Sequence, residues 1–184
     1  MADTDFFTVE VWTPRGLLTY YVLFVMNLST RSVHIAGMTI APNGAFMQQL
    51  ARNLTAVSDG FLASNEFLIM DRDTKFTNDF KEQLKREGVV CVLCQARAPN
   101  CNAFAERFVR SIKGECLDRM ILFGERSLRR AVNEYMVHYH TERNHQGLGN
   151  RLLSTTNVAG LPDDPVLRRE RLGGMLNFYY REAA

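Results

Sequence analysis

Three carboxylates stand where an ionised side chain needs an explanation. Asp71 follows the apolar run Phe67-Leu68-Ile69-Met70, and a charge at the edge of a buried strand is costly unless a cation or hydrogen bonds satisfy it. An Asp that only begins a turn or caps the next helix would occupy the same place, and Asp73 is its natural competitor. Glu106 falls in the first turn of an expected helix, after the irregular stretch Pro99-Asn100-Cys101-Asn102, where the helix dipole favours a negative side chain. Arg110 and Lys113 follow at +4 and +7 on the same face, so a helix-stabilising Glu-Arg pair is the plainer alternative. Asp5 opens the first strand, in the face series Asp5, Phe7, Val9, Val11. If that strand lies beside the FLIM strand, Asp5 and Asp71 become neighbours.

These positions presuppose a scaffold. Asp5–Trp12 and Leu17–Asn27 are β-rich and flank Pro14-Arg15-Gly16, so they read as a hairpin. Ser32–Ile40 supplies a third strand, and Pro42 opens a helical stretch with Phe46, Leu50, Leu54 and Val57 near helical spacing. Phe67–Met70 has the composition of a strand buried on both faces. Thr77–Glu87 predicts a helix with Phe80 and Leu84 inward, ended by Gly88, and Val89–Leu93 a fifth, buried strand. Asn102 is placed to cap a helix running to about Leu122, with Ala105, Phe108, Val109, Ile112 and Cys116 on its buried side. A second helix covers Ser127 to about His140. The order β-β-β-α-β-α-β-α-α predicts an α/β fold, a mixed five-stranded sheet flanked by helices. Beyond Asn144 the pattern thins, with Pro162, Pro165 and Gly173-Gly174 marking an extension.

Composition narrows the class. The 184 residues are 46% hydrophobic and 23% charged, the balance of one packed domain. The longest apolar run, Tyr20–Met26, has seven residues, against roughly 20 for a membrane-spanning helix. No signal peptide is visible either, so a cytoplasmic, bacterial-type location and no membrane partner are expected. The net charge of +2 is unevenly spread: residues 1–106 carry −2 and residues 107–151 carry +4, nearly all from Arg. An acidic region followed by an Arg-rich one suits a site that holds both cations and phosphates, although a solvated helical surface has the same counts. Cys91, Cys94, Cys101 and Cys116 are expected as reduced thiols. Cys91 and Cys94 have zinc spacing, but residues three apart on a strand face opposite ways. His138, His140 and His145 are therefore not expected to complete a metal site with them.

Several blocks together resemble the catalytic core of integrases and insertion-sequence transposases. Asp71-Arg-Asp-Thr74-Lys-Phe76 is similar to the family's D-x-x-T/S-x-F/Y block, and Asn102-Ala103-Phe-Ala-Glu106-Arg107-Phe108 to its N-A/G-x-x-E-R-F block. Tyr139-His-Thr-Glu-Arg143-Asn-His145-Gln-Gly-Leu148-Gly149 resembles Y-N-x-x-R-x-H-x-x-L-G. Asp5-Phe-Phe-Thr8 is similar to the D-x-T-type first strand, and Ser29-Thr-Arg31 to the following S-R turn. The likeness covers about residues 5–151 in the right order. Two departures are visible. Asp71 and Glu106 are separated by 34 residues, one fewer than usual, and Asn27 stands where an acid normally precedes the S-R turn. Choosing Asp73 would break the Thr-x-Phe register, so Asp71 is the better second acid. No helix-turn-helix or zinc-binding region precedes the core, so a core fragment or truncated gene copy is expected.

The resemblance implies a ribonuclease-H-like fold, with a catalytic core at 1–151 and a C-terminal extension at 152–184. It implies Asp5, Asp71 and Glu106 as catalytic and metal-binding acids for two Mg²⁺ ions, with Mn²⁺ an alternative. Lys113, Arg110 and Arg107 would hold DNA phosphates, with help from Arg143 and His145, and Thr74 and Asn102 would order the site. The expected partners are mobile-element ends and target DNA, met by a homodimer or higher oligomer. Two other classes stand beside this strand-transfer reading: a catalytically inactive DNA-binding or self-associating descendant, and a ribonuclease-H-like nuclease. The Asn-Ala-x-x-Glu block fits the nuclease poorly, and the retained acids speak against the inactive descendant.

Overall fold

The computed structural model describes residues 1–94, 102–154 and 164–181. Pro99, Asn100, Cys101 and Pro162, singled out above, lie outside the described residues. The chain divides into two compact units, Met1–Val109 and Arg110–Ala184.

In the first unit, β1 (Ala2–Thr13) and β2 (Gly16–Asn27) form the expected antiparallel hairpin, and β3 (Val33–Thr39) pairs antiparallel with β2. The apolar runs are long enough to pair over their whole length, and Gly16 supplies the positive φ, +106°, that the turn requires. Two shorter strands, β4 (Phe67–Met70) and β5 (Val90–Leu93), join in parallel on the other side of β1. The sheet order is β3-β2-β1-β4-β5, so the strand carrying Asp5 is central.

The alternation of β1 sorts its residues between two faces. Ala2 shares a core with Leu23 and Val25 of β2 and Leu68 and Met70 of β4. This core is covered by helices α1 (Gly44–Leu54) and α2 (Asn78–Arg86), which contribute Met47, Leu50, Ala51, Leu54, Phe80 and Leu84. The opposite series, Asp3, Asp5 and Phe7, faces helix α3 (Ala103–Glu115). There Phe108 packs against Phe7 and Phe24, with ring centroids 6.5 and 4.8 Å apart. Burying one such ring stabilises by about 1.5–3 kcal/mol. This contact seats α3 on the face that carries Asp5.

Four expectations need correction. Helix α1 starts at an Asn43 cap and ends at Leu54, so Val57 lies beyond it and is 97% exposed. Strand β5 is the sheet edge rather than a buried strand, leaving Val90, Val92 and Leu93 exposed. In β4 only Leu68 and Met70 are fully buried, and Phe67 is exposed, because helices cover one of its faces better than the other. Helix α3 ends at Glu115 instead of near Leu122, and a short 3₁₀ turn follows over Leu117–Arg119.

The second unit is built on α4 (Gly124–Thr141), which buries Leu128, Ala131, Val132, Tyr135, His138 and Tyr139. The stretch read as an extension contains a hairpin, β6 (Leu167–Arg171) and β7 (Leu176–Tyr180). Arg171 anchors it to α4: its guanidinium donates to both Glu142 oxygens at 2.8 and 2.7 Å and to Glu134 at 2.9 Å. The Glu142 side chain is only 1% exposed. No helix among the described residues is long and apolar enough to cross a membrane.

Candidate active site

Strand pairing brings the first two acids together. In the parallel β1–β4 ladder, Asp3 lies opposite Ile69 and Thr4 opposite Met70, so the next step sets Asp5 beside Asp71. Asp5 accepts hydrogen bonds from its neighbour Phe6 N–H at 2.7 Å and from the Asn102 side-chain amide at 3.0 Å. The second bond crosses 97 residues and ties the block that opens α3 to the first acid. A side-chain cap on α3 would use the Asn102 oxygen. The Asn102 amide is turned to Asp5 instead, and its Oδ1 is buried with no hydrogen-bond partner among the described residues.

Asp71 accepts from the Asp73 N–H at 3.0 Å, the geometry of a tight Asx turn. Asp73 accepts from the Lys75 N–H at 2.8 Å and forms an ion pair with its ammonium group. Burial alone would raise the Asp73 pKa, but these bonds and the Lys75 charge hold it below the ordinary carboxylate range. Asp73 is thus committed to Lys75, while Asp71 adjoins Asp5. Phe76, which closes the same block, is buried against Phe6 and Phe80 with centroids 5.4 and 5.8 Å away. It fixes the loop that follows β4.

The carboxylates press on one another. Burial lifts the Asp5 pKa to about 6, and the charges of Asp71 and Asp73 add to this against the bonds from Phe6 and Asn102. A fourth acid, Asp3, escaped the sequence reading. It is 1% exposed, its Oδ1 has no partner among the described residues, and burial together with the Asp5 and Asp71 charges raises its pKa to about 7. The period-2 alternation that put Asp5 and Phe7 on one face also includes Asp3, so the signal was present. Glu106 lies in the first turn of α3, exposed, with its N–H bonded to the Asn102 carbonyl at 2.9 Å.

The donors are hard oxygens in excess over nearby cations, which suits Mg²⁺ or Mn²⁺, ions that need only one or two protein carboxylates besides water and phosphate. Burial and the neighbouring carboxylates disfavour the charged forms of Asp3 and Asp5, and the Asp3 Oδ1 has no partner among the described residues, so a cation here would find acceptors that the protein leaves unsatisfied. Among the described residues no three His, Cys, Asp or Glu side chains form a ready-made metal cage.

The basic residues divide into two sets. Arg107 and Arg110 are exposed on α3, and Lys113 is half-buried. Arg143 makes a bidentate pair with Glu115, with contacts of 2.7 to 3.1 Å, and also bonds Ser111. His145 is buried, bonding the Tyr139 carbonyl at 2.8 Å and meeting its ring edge-on. His138 bonds Glu142. These groups serve the second unit's own packing.

Residues 87–152 match the family model of the integrase core domain. The structure is similar to the catalytic core domain of BIV integrase, with a TM-score of 0.54 and 14% sequence identity, covering 83% of this chain and 89% of that one. This is the ribonuclease-H-like fold of an integrase catalytic core. No curated protein matches the chain. The integrase-core match in sequence ends at residue 152, and the integrase-core order of strands, with three antiparallel strands followed by two parallel ones, is complete by residue 93.

Proposed function

We propose that this chain is a DNA transposase or integrase core that joins DNA by divalent-metal-dependent strand transfer, with residues 1–151 forming that core. The observation that carries the reading is the placement of Asp5 and Asp71 one step beyond the last β1–β4 pair, Thr4 with Met70, close enough for the Asp71 charge to act on Asp5, with Asn102 tying Asp5 to the helix that bears Glu106. Asp5, Asp71 and Glu106 would hold the ions, whose chemistry is to activate a water or DNA 3′-hydroxyl and to stabilise the leaving oxygen. Asn102 orients the Asp5 carboxylate, and Lys75 occupies the competing acid Asp73. Arg107, Arg110 and Lys113 would bind phosphates, an attraction that weakens with salt. DNA ends and target are the partners in this reading, met by a dimer or larger assembly.

The test is incubation with a branched DNA resembling a strand-transfer product, in Mg²⁺ or Mn²⁺, beside Asp71→Asn and Glu106→Gln. Rejoined strands from the wild type alone are expected. Cleavage without rejoining would favour a nuclease. Equal inertness of all three proteins, with DNA binding retained, would leave an inactive descendant.

A further inference from the structure

One motif is not absorbed by this reading: the Ser29-Thr30-Arg31 turn between β2 and β3. The turn is built by Asn27, the residue that stands where an acid is usual. Its side-chain oxygen accepts from Ser29 N–H at 3.0 Å, Ser29 O–H at 2.7 Å and Thr30 N–H at 3.2 Å. An amide oxygen therefore does the accepting that a carboxylate could do, without adding a charge. The backbone closes through Arg31 N–H to Asn27 O at 2.9 Å and Asn27 N–H to Ser32 O at 2.8 Å. Arg31 is thereby held at φ +62°, a left-handed conformation uncommon for a residue with a side chain.

This turn delivers the Arg31 guanidinium onto the ring of Phe104, 3.3 Å from its centroid. A flat guanidinium stacks on an aromatic face in a way that a lysine ammonium cannot. Phe104 belongs to the first turn of α3, two residues before Glu106 and two after Asn102. That turn is consequently held at two points, by Asn102 on Asp5 and by Phe104 under Arg31. A helix end has few backbone bonds of its own to resist fraying.

We propose that Arg31 is a positioning residue for Glu106, setting the first turn of α3 against the Asp5–Asp71 pair through its stack on Phe104. The inference rests on the strand-transfer reading for what Glu106 does there. The stack itself does not depend on that reading.

The test uses the full chain and the variants Arg31→Ala, Arg31→Lys, Phe104→Leu and Phe104→Trp, with Asp71→Asn and Glu106→Gln as references. Two properties are measured: amide hydrogen exchange over residues 102–108, and binding of Mn²⁺ followed by electron paramagnetic resonance. Arg31→Ala and Phe104→Leu should exchange faster over this segment. They should also bind Mn²⁺ more weakly by about threefold to tenfold, the factor expected of a partly desolvated cation–π contact. Phe104→Trp, which keeps an aromatic face, should behave as wild type, and Arg31→Lys should not rescue. Unchanged exchange in both disruptive variants would overturn the proposal. So would faster exchange with unaltered Mn²⁺ affinity, provided Glu106→Gln weakens binding. Mn²⁺ binding that neither Asp71→Asn nor Glu106→Gln alters would sink the strand-transfer reading instead, and exchange alone would then judge the stack.

Discussion

Asp3 offers the sharpest test of the electrostatics. Its carboxyl is moved from an ordinary 3.8 to about 7 in the folded protein, first by burial and then by the Asp5 charge. A raised carboxyl pKa means that the folded state holds the proton more tightly than the unfolded one. Its favourable effect is complete below pH 4 and is lost as the pH rises towards 7. Above that the ionised, buried group costs about 4 kcal/mol, from roughly three units at 1.36 kcal/mol each. At pH 5 the same arithmetic gives between 1 and 2 kcal/mol, so about 3 kcal/mol of the penalty appears between pH 5 and pH 8. Asp3→Asn removes the titrating group and keeps its shape. Urea unfolding of both proteins at the two pH values measures the effect together with the relief of Asp5, whose charge is coupled to Asp3 and whose pKa falls in the same direction when Asp3 is removed. The variant should gain on wild type by up to about 3 kcal/mol between pH 5 and pH 8. A difference that stays constant with pH, or a variant less stable at pH 8, would refute the argument that Asp3 is an unpaired buried charge.

Other outcomes follow from contacts on both units. Arg171→Met removes the fork on buried Glu142 but leaves His138 at 3.2 Å and Arg169 at 3.5 Å, so thermal or denaturant unfolding should show a loss of about 1.5–3 kcal/mol. Arg143→Ala removes the Glu115 pair at a half-exposed site, so about 1 kcal/mol of stability should be lost, with no change in the salt dependence of DNA binding. Arg110→Ala should do the reverse, reducing the salt slope of DNA affinity by about one while leaving stability within about 0.5 kcal/mol. Asn102→Ala frees the Asp5 oxygen and should cost about 1 kcal/mol in unfolding experiments, together with a measurable loss of Mn²⁺ affinity.

How much of this was legible varies with the range of the interactions involved. Strands β1 to β5 and helices α1, α2 and α4 follow from period and turn residues, and the Asp5–Asp71 juxtaposition follows from adding a single strand-order assumption. What failed was decided by neighbours far away in sequence. Nothing local says that β5 is an edge, since Val90-Cys91-Val92-Leu93 has the composition of an interior strand. Asn102 looks like a helix cap, and only the approach of Asp5 across the fold turns its amide the other way. The β6–β7 hairpin was hidden because Arg168, Arg169 and Arg171 replace the usual apolar series, and Gly173-Gly174 was read as the mark of an irregular tail. Both of those glycines have positive φ, as a tight turn between paired strands requires. Asp3 shares the Asp5 face by period 2, but only the pairing of β1 from Ala2 onward buries it.

The central position of β1 has a consequence for the order in which the molecule comes into being. Strand β1 carries Asp5, and the meander of β1 to β3 can close from local turns alone. Asp5 comes beside Asp71 only when β4 docks some 65 residues later, and gains its Asn102 tether only after a separation of 97. Contacts this distant in sequence form slowly because their loop closure must come first. The acidic cluster therefore matures late, after most of the first unit has left the ribosome. A polypeptide released before α3 would carry Asp5 and Asp71 but lack both Glu106 and the side chain that orients the first acid.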